Sequence, residues 1–207
     1  MTRARNLRPA LAACCVLLLG VVGACGSDGS SASGTLEKDQ VPGAKAEPAK
    51  RTNIPNRVTC QDIDNAEDEL VYDQSPNAKK SQSSVVVKVK GDANESVDSS
   101  VWPARDASRS LEKIAAGVDA CSRQDPGYYQ ALGTVPGYPE AIGYTARQGK
   151  PPSFIKRVFV PVGEVVVVVG VTREGSDDFS VEPEDLLDDA VAAAKKKFSG
   201  STGSTGY

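Results

Sequence analysis

The side chains able to do chemistry in this 207-residue chain are narrow in kind. There is no histidine, which removes imidazole triads, imidazole acid–base catalysis and the commonest transition-metal ligand. Carboxylates are plentiful, with 27 Asp and Glu. That many acids produce accidental pairs, whereas two-carboxylate hydrolysis needs a set separation. Ser153 sits in Pro151-Pro152-Ser153-Phe154, not in the Gly-x-Ser-x-Gly turn that exposes a serine nucleophile. The acids Asp62, Asp64, Glu67, Asp68 and Glu69 lack the residue order of an EF-hand loop and read as a solvated helix face. No catalytic group, metal ligand or cofactor is therefore expected, and the chain does not read as an enzyme. What remains is a set of amphipathic aromatics, Trp102, Tyr128, Tyr129 and Tyr144. Such rings pair an apolar body with a polar tip and suit a ligand-binding surface; the competing reading is ordinary packing in strands and beneath a helix.

The five cysteines divide by context. Cys14 and Cys15 lie in the uncharged apolar run at 10–22, which follows a short segment carrying Arg3, Arg5 and Arg8. A basic flank before a short apolar core fits an export signal, and the run falls short of the ~20 residues a spanning helix needs. Val22-Gly23-Ala24-Cys25 then resembles the lipobox of bacterial lipoproteins. That resemblance implies removal of residues 1–24, acylation of Cys25 and a lipid anchor at the outer face of the cell membrane, where two acyl chains hold stably and one holds weakly. The alternative is ordinary secretion with Cys25 as a thiol or disulfide partner. The remaining pair, Cys60 and Cys121, would meet an oxidising compartment and form a disulfide, or else remain as two separately buried thiols.

Composition then sets the boundaries. Residues 26–34 read GSDGSSASG, and 35–57 are polar and punctuated by Pro42, Pro48 and Pro55. Residues 25–57 are expected to be a lipidated start and disordered linker, with Leu36 and Val41 as the possible exception, a short docked segment. Residues 58–198 are expected to form one domain, and 199–207 a disordered tail. Removing the three signal arginines from the 24 basic residues leaves 21 against 27 acids from Cys25 onward. A net acidic chain without a clustered basic face argues against nucleic acid as a partner.

Within 58–198 the periodicity predicts a short helix over 61–72, a strand over 84–90, and a turn or long loop over 91–100. A helix over 104–121 carries the stripe Leu111, Ile114, Ala115 and Val118, which places Cys121 on its inner side. Two short strands, 128–133 and 140–148, make a hairpin. Strands over 154–160 and 164–172 follow, and five successive valines, Val165–Val169, fit a central strand covered on both faces. A closing helix over 182–198 buries Leu187, Ala190, Val191, Ala194 and Phe198. It has Glu184 and Asp185 at its start and Lys195, Lys196 and Lys197 at its end, as the helix dipole favours. The fold class is α+β, a mainly antiparallel sheet packed against two or three helices.

This order of elements resembles the extracellular sensor-like domain of an actinobacterial receptor kinase, a domain also found on stand-alone lipoproteins. The residues that carry the resemblance are Val85–Lys90, the helix ending at Cys121, Arg157–Val160, Val165–Val169 and the helix from Glu184. Two features depart from that family: it has two disulfides, and a tryptophan close before the helix-end cysteine, where Val118 and Asp119 stand here. The resemblance implies a groove for an unknown envelope ligand; the sequence carries no kinase catalytic segment, so kinase activity does not carry over. The function expected is thus a membrane-anchored, non-catalytic ligand-binding or sensor-like module for a small ligand. The alternative is a structural or assembly factor that binds another envelope protein.

Overall fold

The computed structural model describes residues 34–44, 60–72, 81–88 and 94–198. The export segment 1–24, Cys25 and the tail 199–207, with the expectations placed on them, lie outside the described residues. The order of elements is a 3-10 turn at Lys38–Gln40, α1 (Gln61–Tyr72), β1 (Ser81–Lys88), β2 (Asn94–Pro103), α2 (Ala107–Gln124), β3 (Tyr129–Ala131), β4 (Ile142–Gln148), β5 (Ser153–Val162), β6 (Val165–Glu174), a 3-10 turn at Pro183–Leu186 and α3 (Leu187–Phe198). The six strands form one sheet in the order β1-β2-β6-β5-β4-β3, and every neighbouring pair is antiparallel. The fold is α+β, as expected. No helix among the described residues is long and apolar enough to cross a membrane.

The valine run explains the layering. Side chains alternate across a strand, so Val166 and Val168 face one helix layer while Val165, Val167, Val169 and Val171 face the other. All five of Val165–Val169 are buried. The even side packs beneath α1 and α2, against Ile63, Leu70, Leu111, Ile114 and Val118. The odd side packs against Leu187, Ala190, Val191 and Ala194 of α3. The β5–β6 turn is tight because Gly163 adopts φ +60°, a conformation open to glycine without a Cβ clash. α2 starts after β2 because Asp106 caps it, its Oδ1 accepting from Arg109 N–H at 3.0 Å. Cys60 and Cys121 form a disulfide, which joins the start of α1 to the end of α2.

Three expectations are corrected. Residues 34–44 are not loose linker: Thr35, Leu36 and Val41 are buried, Leu36 and Val41 join the α3-side core, and Leu36 N–H donates to Ser99 Oγ at 3.2 Å. Residues 34–44 therefore belong to the folded unit. Residues 94–103, read largely as loop, form β2. Their alternation was hidden because two inward positions are polar. Ser99 accepts from Leu36, and Glu95 is buried accepting from Ser180 N–H and Oγ–H and from Val181 N–H at 2.8–3.1 Å. Glu67, placed on a solvated face of α1, turns inward to the sheet.

Candidate functional site

The four aromatics chosen from sequence fall into two groups. Trp102 on β2, Tyr129 on β3 and Tyr144 on β4 are buried in the layer under α1 and α2. They pack the core and line no open site, a correction that follows from strand alternation, which turns all three toward the helices. Tyr128, one residue before β3, is 48 % exposed. Among the described residues it is the one large hydrophobic side chain in that condition.

Tyr144 belongs to a closed polar group. Its hydroxyl donates to Glu67 Oε1 at 2.8 Å, and Arg157 Nη1 donates to Glu67 Oε2 at 2.6 Å. Asp98, Gly170, Arg157 and Tyr144 are cross-strand partners in one row. Gly170 leaves room there: a Cβ would stand 3.4 Å from Arg157 Nε. Burial raises the Tyr144 phenol well above its ordinary range; Arg157 pulls it back and Glu67 pushes it up further. Burial opposes the Arg157 cation, but the Glu67 charge overrides this and holds it protonated. The group fastens α1 to the sheet. With side-chain exposures of 11 % for Arg157 and 15 % for Glu67, it offers little to a ligand.

An accessible corner lies on the opposite face. α3 and residues 34–44 cover that face over the central strands, and its corner, built by β3, β4 and the start of β5, stays accessible. Tyr144 and Ala146 point into the α1–α2 layer, so Thr145 and Arg147 point to the other side. On β5 the same alternation places Phe154 and Lys156 beside them. Two registered rows result. One is Gln130–Thr145–Lys156. The other is Arg147–Phe154–Arg173–Glu95, with Tyr128 added at its outer end because Tyr128 C=O accepts from Arg147 N–H at 2.9 Å.

Arg147 is flanked by two rings. Its guanidinium carbon lies 6.0 Å from the Tyr128 centroid and 5.6 Å from that of Phe154, within cation–π range. Two neighbouring cations are neutralised. Arg173 faces Glu95 at 3.6 Å, and Lys156 is held by Glu182 and Glu184 at 2.7 and 2.8 Å. Burial works against the Lys156 charge, but its hydrogen bonds to the two glutamates prevail and raise its pKa. Among the described residues no ion pair involves Arg147. Arg147 and Phe154 were missed from sequence because neither type stands out alone. Their pairing was not readable either, since the expected strands end at 148 and begin at 154, whereas β5 starts one residue earlier and pairs Ser153 with Gln148 and Phe154 with Arg147.

Two other places can be weighed. Cys60, Asp62 and Cys121 bring possible metal ligands together, but the two sulfurs are bonded to each other, and metal binding needs thiolate. A cleft of about 120 Å³ lies beside Tyr138, Glu140 and Pro161, well below the several hundred Å³ of small-molecule pockets. No family model matches the chain, and no curated protein matches it.

Proposed function

We propose that this protein is a lipid-tethered extracytoplasmic module, anchored through Cys25, that binds its target without catalysis at the Tyr128–Arg147–Phe154 corner. The observation that carries the proposal is a guanidinium that lies beside an exposed ring and has no ion-pair partner among the described residues. A solvent-facing tyrosine against an arginine combines apolar contact area with directional hydrogen-bond donors, the two properties enriched at recognition surfaces. The lipobox resemblance supports the location, and the resemblance to a sensor-like domain supports the class. The absence of histidine from the sequence and the enclosure of the Glu67–Arg157–Tyr144 group support a non-catalytic role.

The test is retention of envelope material by the immobilised full-length protein, compared with Tyr128→Ala/Arg147→Gln. Both residues are exposed, so the double variant keeps its fold. The proposal expects a component held by the native protein and lost by the variant; equal retention by both rejects this surface. A second reading, recognition of another envelope protein during assembly, draws support from the openness of the corner. A retained component that is degraded by protease favours that reading.

A further inference from the structure

We infer that the corner recognises a sugar ring bearing an oxyanion, a carboxylate or a phosphate; this rests on the binding role proposed above and names its ligand class. Three observations converge. The first is charge. The Glu95–Arg173–Phe154–Arg147 row holds one matched pair and one surplus cation, and the neighbouring Lys156 is already satisfied by Glu182 and Glu184. A local positive charge without an ion-pair partner among the described residues, in a chain that is acidic overall, is complementary to an anion. The second is shape. Two rings flank the guanidinium, at 6.0 and 5.6 Å, and limit the directions its planar fork can take, which favours paired hydrogen bonds to two oxygens. The third is the platform around it. The row Gln130–Thr145–Lys156 lies two residues along the strands, about 7 Å away, on strands about 4.8 Å apart. That is the scale of a pyranose ring. Gln130 and Thr145 supply an amide and a hydroxyl for sugar hydroxyls, and Tyr128 supplies an apolar face for the ring's C–H groups. An oxyanion alone uses only the first two features, and a neutral sugar only the third.

The experiment is calorimetric titration of the full-length protein with glucuronate, glucose 6-phosphate, glucose and inorganic phosphate, repeated with Arg147→Gln, Arg147→Lys and Tyr128→Ala. Near-ultraviolet circular dichroism of the buried Trp102 verifies that each variant is folded. Glucuronate or glucose 6-phosphate is expected to bind at least about tenfold more tightly than either glucose or inorganic phosphate. Arg147→Gln is expected to weaken it about tenfold or more, the scale of a charged hydrogen bond. Arg147→Lys restores the charge but not the fork and recovers only part of the loss. Preference for one acidic sugar identifies which oxyanion the site takes. Equal affinity for inorganic phosphate and the acidic sugars overturns the inference, as does the same affinity in native protein and Arg147→Gln, or no binding of either acidic sugar. If acidic sugars fail while envelope material is still retained through Tyr128 and Arg147, the ligand class is wrong and the binding surface stands. If retention also fails, both fall.

Discussion

Arg147 and Arg157 stand ten positions apart with opposite consequences. Arg157 is buried against Glu67 and Tyr144, so truncating either charged partner strands the other away from water. Arg157→Ala or Glu67→Ala is expected to cost about 3–5 kcal/mol in urea unfolding, whereas Arg147→Ala on the exposed corner, which loses two ring contacts, costs about 1 kcal/mol. Equal small losses at both arginines would show the buried pair to be dispensable. Tyr138 gives a pH signature. Burial, the hydrogen bond to Asp188 at 2.6 Å and that carboxylate's charge raise its phenol to about 12 from 10.0. Its folded pKa lies above its unfolded one, so its stabilisation is complete below pH 10 and is lost as pH climbs toward 12. Tyr138→Phe should flatten the stability profile over that window, and an unchanged slope would assign the loss elsewhere. At this scale the sequence is a poor guide to role. Tyr128 and Tyr129 are adjacent and identical in type, yet one is exposed and one is core, because alternation rather than chemistry decides which way each points.

Elements were legible where burial is apolar and obscure where it is polar. The valines of β6 and the stripes of α2 and α3 declare their period. β2 does not, because Glu95 and Ser99 occupy inward positions that periodicity assigns to hydrophobes; only the tertiary partners Ser180, Val181 and Leu36 make those positions tolerable. The α1–α2 contact was half visible. The cysteines announced it, but the small residue that permits it did not. A Cβ on Gly117 would sit 2.8 Å from the main-chain oxygen of Asp62, which cannot rotate away. Gly117→Ala should therefore destabilise by about 1–3 kcal/mol despite the ~1 kcal/mol that alanine gains over glycine in a helix; a stabilised variant would refute the close approach. Removing the bridge with Cys60→Ser/Cys121→Ser frees a loop spanning a separation of 61 residues. In the chain-entropy account this costs about 4 kcal/mol. Hydrogen exchange should locate the loosening in α1, where Asp64 N–H bonds back to Cys60, ahead of the β5–β6 hairpin.

For the whole molecule, the decisive finding is that residues 34–44 pack on the core. Low-complexity residues on either side disguised 34–44 as linker, since two isolated apolar side chains carry no periodic signal. Yet Leu36 and Val41, each 2 % exposed, close one end of the α3-side core, and full burial of such a side chain contributes about 1.5–3 kcal/mol. Docking also sets the reach of the proposed anchor. From Cys25 to Gly34 is nine residue steps, at most about 30 Å when extended, whereas a tether running free to residue 58 would span over about 100 Å. The binding corner would then work close to the membrane rather than at a distance from it. A chain beginning at Gly34 should accordingly melt higher than one beginning at Val58, by about 2–4 °C for each kcal/mol of docking energy in a domain of this size. Leu36→Asp in the longer chain should reproduce most of that drop, because a carboxylate at this buried position would lack its hydration. Coincident melting curves for all three would mean that residues 34–44 rest on the core without stabilising it, and the long tether would be restored.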